Sequence, residues 1–235
     1  MRYIWATASH QGKVRGNNED SVFPEASGES AGPTTLMVAD GMGGAVAGEV
    51  ASRLAVNAAA SIDVDPGDRV AAGNRAIREE VAREPSLEGM GTTMTLVTLT
   101  EDQTAILAHV GDSRAYMLRN GDFRQLTQDH TVAAELLARG QLSPHEAAQH
   151  PQRHMLTRVL GLTRFVNVDT EVLELEVGDR LLLCSDGLTE MVSDGGIAAA
   201  LTGTAPDEAT WKLIEMANAA GGVDNISVVV IDVLG

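Results

Sequence analysis

The stretch Leu36-Met37-Val38-Ala39-Asp40-Gly41-Met42-Gly43-Gly44 decides how this chain is read. Apolar and β-branched residues, which suit a buried pleated surface, run up to a carboxylate, and three glycines follow within four residues. The pattern predicts a buried strand ending on Asp40, a turn that glycine permits, and a helix over residues 46–60. A carboxylate at a strand end beside a bare carbonyl suits a hard cation, and the same Asp could instead cap the helix. Partners elsewhere in the chain decide between the two.

Composition narrows the choices. At 235 residues the chain fits a single domain, 1–235, and its hydrophobic fraction of 44% is enough for a large core. Aromatics are only 3%, so Ala, Val, Leu, Ile and Met must fill that core. The formal charge is −16, with 33 acidic against 17 basic residues, which disfavours nucleic acid and anionic membrane as partners. One cysteine, Cys184, excludes an internal disulfide and a cysteine-rich zinc site. No signal segment follows Arg2, and no apolar run reaches the length of a membrane span. A reduced cytoplasmic setting and a monomer are the simplest expectations.

Strands are expected at Tyr3–Ala8, Ser21–Phe23 and Leu36–Ala39, with a Gly/Ser-rich surface loop over 24–33. Two helices follow, over 46–60 and 68–83, the second ended by Pro85. Strands return at 92–100, 104–110, 113–118 and 123–126, the last pair joined through the Asn120-Gly121 hairpin signal. Residues 131–152 differ, with short helical pieces and two histidines, and look like an insertion over a sheet edge. Strands at 168–175, 180–184 and 226–233 and a helix at 205–219 complete the pattern. Two strand-rich and two helical blocks imply sheets packed on each other with helices outside.

The opening motif recurs. His109-Val110-Gly111-Asp112, Leu183-Cys184-Ser185-Asp186-Gly187 and Gly222-Val223-Asp224-Asn225 each place an Asp where a strand ends or begins, and Arg15…Glu19-Asp20 adds an Arg and two acids. If these ends converge, their carboxylates cannot all stay ionised without cations. All-oxygen ligation points to Mg²⁺ or Mn²⁺ rather than zinc or copper. Ions about 4 Å apart could share a bridging water and aim it in line at phosphorus, with Arg15 clamping the phosphoryl oxygens.

These motifs, with Met90-Gly91-Thr92-Thr93 and Gly111-Asp112-Ser113-Arg114, stand in an order that resembles the metal-dependent serine/threonine protein phosphatases of type 2C (PPM), in particular their compact bacterial members. The likeness spans nearly the whole chain. It implies an α+β fold: a four-layer α-β-β-α sandwich of two antiparallel sheets flanked by helix pairs, with a metal centre at one end. It implies that Asp40 bridges two ions, that the Gly41 carbonyl binds one of them, and that Asp186 and Asp224 complete the other. Asp112, with Asp186, would hold a third, weaker ion. Glu19 and Asp20 would act through bound waters, and Arg15 would hold the substrate phosphate. Asn225 and Ser185 would brace neighbouring aspartates, and Thr92 and Thr93 would lie in the core strand behind the site. Residues 129–158 would form a flap. The activity implied is hydrolysis of phosphoserine and phosphothreonine in proteins by a metal-bridging hydroxide, with a serine/threonine kinase as a possible partner.

One departure matters. Eukaryotic members commonly carry His where this chain has Met42, and methionine cannot donate a proton to the leaving alkoxide. A bound water or a flap residue such as His154 would have to serve. Other hydrolytic chemistries find no support. Glu190 stands where a cysteine phosphatase needs Arg, Cys184 reads as a small core residue, and no glycine-rich phosphate loop precedes Lys13 or Lys212. The rival reading is a phosphoprotein-binding module of the same fold, and its mark would be a lost carboxylate. None is lost.

Overall fold

The computed structural model describes residues 1–44 and 46–235. In chain order these form β1 (Arg2–His10), β2 (Asp20–Phe23), β3 (Gly28–Ser30), β4 (Thr34–Met42), α1 (Ala47–Ala60), α2 (Pro66–Arg83), β5 (Gly91–Thr92) and β6 (Met94–Leu99). There follow β7 (Thr104–Val110), β8 (Arg114–Arg119), β9 (Asp122–Gln125), α3 (Val132–Ala138), α4 (Pro144–Ala148), β10 (Asp169–Glu174) and β11 (Arg180–Cys184). The chain closes with α5 (Asp186–Thr189), α6 (Asp194–Leu201), α7 (Pro206–Ala219) and β12 (Ile226–Leu234). One sheet runs β3-β1-β12-β11-β8-β9, the other β10-β7-β6-β4-β2 with β5 joined to β4. Neighbouring strands in both are antiparallel.

Alternation along the strands builds the layers, because successive side chains face opposite sides of a sheet. Leu36 and Val38 of β4 point between the sheets, where they meet Leu181, Leu183, Val229 and Ile231. Met37 and Ala39 point the other way and pack with Ala51, Ala55 and Ile77 of α1 and α2. On the opposite sheet Leu182, Val228 and Val230 face out against Ile197 of α6 and Leu213 and Ile214 of α7. The result is the four-layer α-β-β-α arrangement expected from the sequence. Continuing the alternation places Asp40 between the sheets, at the end of the inter-sheet core, directly opposite Asp20 in the β2–β4 register.

Local chemistry sets the element ends. Asp65 caps α2 by accepting the Gly67 N–H at 3.0 Å, with Pro66 in the first turn. Asn120 and Gly121 both adopt positive φ, at 51° and 85°, as the β8–β9 hairpin turn requires. Cys184 faces the helical layer and is fully buried, and burial pushes its thiol up to about 12, so it is the inert core residue the sequence predicts.

Four expectations need correction. β4 does not stop at Asp40; it continues to Met42, with Gly41 and Met42 paired to Thr92 and Gly91. The segment 24–33 is more than a loop, because Gly28–Ser30 pairs with β1, and Trp5 Nε1 holds its start through the Ala26 carbonyl at 3.0 Å. Two helices, α5 and α6, lie where no helix was expected; α6 has the Ser193 side chain as its cap. The 92–100 strand is also split at Thr93 into β5 and β6.

The continuation of β4 depends on Gly41. A Cβ there would lie 2.1 Å from the Gly48 carbonyl oxygen of α1 and 2.6 Å from that of Glu19. Both obstacles are backbone, so neither can rotate away. Gly41→Ala should therefore cost about 1–3 kcal/mol, the usual range for overpacking, read as a lower denaturation midpoint at unchanged m-value.

Candidate metal centre

Asp40 is held through its main chain, so its side chain is committed to one place. The Asp40 N–H donates to Thr93 Oγ1 at 2.9 Å, while its carbonyl accepts from Thr92 Oγ1 at 2.7 Å and from the Thr93 N–H at 2.9 Å. The break between β5 and β6 is what frees these groups to bond across to Asp40. Gly111, at φ 112°, turns the chain so that Asp112 follows β7 into the site, and the turn is held by His130, whose N–H donates to the Gly111 carbonyl at 2.8 Å. Asp186 opens α5 directly after β11.

The opposite wall is one hydrogen-bonded unit. The Asn225 side chain accepts the Glu19 N–H at 2.8 Å and donates to the carbonyls of Gln11 at 2.8 Å and Asn17 at 2.9 Å. It therefore anchors the loop carrying Arg15, and the Asn225 main-chain N–H also donates to Asp224 Oδ1 at 2.8 Å, bracing that aspartate. Ser185 braces another: its hydroxyl donates to Asp20 Oδ2 at 2.7 Å. Arg15 donates to Asp224 Oδ2 at 2.7 Å.

These groups line one cleft of about 950 Å³, which includes Arg15, Glu19, Asp40, Asp112, Asp186 and Asp224. Asp20 lies behind it, 9% exposed. Met42 and the Gly41 backbone share the lining. One group, Glu190, was not assigned to the site from the sequence. Glu190 follows Asp186 by four residues, one helical turn, a spacing that would have revealed it had α5 been expected. Its Oε1 lies 2.6 Å from His154 Nδ1, and the side chains of His154, Asp186 and Glu190 bring ligating atoms within 4.8 Å of one another. His154 is thus tied to the site.

The electrostatics show what the cleft is built for. Burial, and then neighbouring carboxylates, hold Asp40 and Asp112 well above the ordinary carboxylate range. Burial, offset partly by hydrogen bonds to Ser227 and Ser185, raises Asp20 to about 7. Burial and the charges of Glu190 and Asp224 raise Asp186 to about 7. Asp20 Oδ1 and Asp186 Oδ1 are buried and have no hydrogen-bond partner. A buried oxygen without a donor is costly, and oxygen-only donor sets of this kind fit hard divalent cations. The residues therefore fit the metal that the sequence resemblance implies.

A family model described as protein phosphatase 2C matches residues 8–210. The serine/threonine protein phosphatase PstP of Mycobacterium tuberculosis is 45% identical over 243 residues, covering 100% of this chain but 45% of PstP. The chain thus spans less than half the length of that relative. Protein phosphatase PhpP of Streptococcus pneumoniae is 38% identical over 233 residues, covering 94% of this chain and 93% of PhpP. The crystal structure of the M. tuberculosis phosphatase matches with a TM-score of 0.92 at 42% identity, covering 100% of both chains. A structure of the PstP catalytic domain in complex with two manganese ions matches at 0.88 and 40% identity, again over 100% of both. The chain belongs to the protein phosphatase 2C family, as its sequence motifs lead one to expect.

The raised carboxylates have a consequence for stability. A group whose pKa is higher folded than unfolded stabilises the fold below its unfolded value and loses that contribution as pH rises through its folded value. For Asp20 and Asp186 the window runs from about 4 to about 7. The chelator-treated protein should therefore melt several degrees lower at pH 8 than at pH 5, at about 2–4 °C per kcal/mol for a chain of this size. Added Mn²⁺ should raise the melting temperature more at pH 8 than at pH 5, since ions and protons compete for the same oxygens.

Proposed function

We propose that this chain hydrolyses phosphoserine and phosphothreonine in proteins, using divalent cations held at the end of the sandwich. The observation that carries the reading is the convergence of Asp40, Asp112, Asp186 and Asp224 on one cleft with an unpartnered buried oxygen, Asp186 Oδ1. Asp40, the Gly41 carbonyl, Asp186 and Asp224 would hold two Mn²⁺ or Mg²⁺ ions, and Asp112 with Asp186 a third, weaker one. Glu19 and Asp20 would orient the surrounding waters. When bound, such ions supply Lewis acidity toward phosphoryl oxygens and lower the pKa of coordinated water.

Arg15 is exposed at the cleft and carries a planar fork of donors that matches two phosphoryl oxygens. Its contact with Asp224 keeps it at the cleft mouth, and the Asn225 anchor limits how far its loop can shift. Proton delivery to the leaving serine or threonine oxygen cannot come from Met42. His154, held by Glu190 and lining the same cleft, is the side chain we assign to that task. Residues 129–158, which include His154, serve as the flap over the site. Substrates are phosphorylated proteins, with a serine/threonine kinase as the natural opposing partner. None of the described helices is long and apolar enough to cross a membrane, and the buried Cys184 thiol suits a reducing cytoplasmic setting for a monomer. The complete carboxylate set supports catalysis over a binding-only role.

The purified chain should hydrolyse p-nitrophenyl phosphate with Mn²⁺ or Mg²⁺ and stop when a chelator is added; activity that survives the chelator would defeat the reading. Asp40→Asn and Asp186→Asn should each lower turnover by at least about a hundredfold while the protein stays folded by circular dichroism. Met42→His tests proton delivery separately. A gain confined to substrates with poor leaving groups shows that the acid is limiting, and no change shows that another donor already serves.

A further inference from the structure

The cleft does not end at the metal site. Leu162 lines both the cleft and a second hollow of about 420 Å³ bounded by Arg78, Ala82, Met90 and Gly161. Arg78 and Ala82 in turn line a third of about 550 Å³, whose walls include Arg75 on α2 and Arg164 and Phe165 on the segment that follows the flap. The three hollows share wall residues in sequence, so they form one groove leading away from the carboxylates along α2.

Its charge is opposite to that of the molecule. The chain carries −16 overall, yet the far end of the groove presents three guanidinium groups against one carboxylate, Glu79, with Glu88 further in. Elsewhere on α2 the arginines are matched to acids, Arg69 to Asp63 and Arg83 to Glu80. Arg75, Arg78 and Arg164 form no such pair among the described residues. Phe165 is 80% exposed, and the Arg164 guanidinium lies 5.2 Å from its ring centre. An exposed aromatic under a cation offers an apolar floor and a charge together.

The wall is also rigid. The buried Asn74 of α2 donates to the carbonyls of Thr163 at 3.1 Å and Arg164 at 3.3 Å, and its Oδ1 accepts the Gly161 N–H at 2.7 Å. Gly161 sits at φ 101°, where a Cβ would come within 2.7 Å of Ile77 Cγ2 and 2.8 Å of the Met90 carbonyl, so the segment is pressed onto the helix. Arginines held on a fixed wall lose less entropy on binding than arginines on a loose loop.

We infer that this groove binds an Asp/Glu-rich stretch of the phosphoprotein substrate, at a distance along the chain from the phosphorylated residue in the metal cleft. The inference rests on the phosphatase reading above for the identity of its occupant. It makes Arg75, Arg78 and Arg164 specificity-determining residues, outside the chemistry. It also explains how an acidic enzyme would attract an acidic substrate: the repulsion is local, and the path to the site is bordered by the unpaired cations.

The test uses four substrates with the Mn²⁺-loaded chain: p-nitrophenyl phosphate, a phosphothreonine peptide with neutral flanks, the same peptide with a Glu/Asp run on either side, and one with a second phosphothreonine replacing that run. The triple variant R75A/R78A/R164A removes the cations, and alanine favours the helix at the two α2 positions. Wild type should favour an acidic peptide over the neutral one by about tenfold in kcat/KM, from about twofold per arginine. The triple variant should lose that preference while its rates on p-nitrophenyl phosphate and the neutral peptide stay unchanged, and high salt should erase the preference in wild type. Equal handling of acidic and neutral peptides by wild type, or a preference that survives the triple variant, would overturn the inference. So would a preference confined to the second phosphate. Failure to hydrolyse any substrate would defeat the phosphatase reading instead, and the groove would then be decided by fluorescence anisotropy of a labelled acidic peptide. Loss of its binding in the triple variant supports the groove, and equal binding defeats it.

Discussion

Like-charged oxygens forced together in a dry place are the constraint on which this structure turns. Glu19, Asp20, Asp40, Asp112, Asp186 and Asp224 meet where two sheets end, and Glu19, Asp20 and Asp112 are buried there. β4 is pinned by the threonines behind it, Asp20 by Ser185, and the loop before Glu19 by Asn225. The apolar core between the sheets and the two helical layers supply the stability that offsets this repulsion. The fold thus stores an unmet demand for positive charge, and cations or protons are what can answer it.

Much of this was legible in the chain. Apolar runs in 36–39, 181–184 and 226–233 announced buried strands, and the repeated Asp beside glycine or at a strand end announced where those strands would converge. The oxygen-only character of the donors followed from residue type alone. Other parts were hidden for physical reasons. Gly28–Ser30 has no apolar residue to mark a strand, and it forms one only because β1 presents an open edge. Helix α5 is a single turn, too short for periodicity to show, so Glu190 and its contact with His154 stayed unseen. Asn225 beside Asp224 suggested a brace for its neighbour, which its N–H supplies, but its side-chain partners lie more than two hundred residues away in sequence and were not visible. Contacts of that range are written in topology, not in local pattern.

The segment 159–166 ties the two ends of the groove together mechanically. Leu160 exchanges backbone hydrogen bonds with Thr92, the residue whose hydroxyl holds Asp40, and a few residues on the same segment is clamped to α2 by Asn74. The wall that presents Arg164 and the strand that presents Asp40 are therefore parts of one connected framework.

The period of two along β4 has a consequence for how such a protein can change over time. Leu36 and Val38 belong to one layer, Met37 and Ala39 to another, and Asp40 takes its place from the count. Inserting or removing a single residue within the strand would exchange every one of these assignments at once, turning the carboxylate toward α1 and apolar side chains away from their partners. Exchange of one apolar residue for another is open to the 36–39 run of β4, while change of length is not. Variation in length is pushed to the turns at the far end of the sandwich, and the position of the charged site is kept by arithmetic rather than by any one contact.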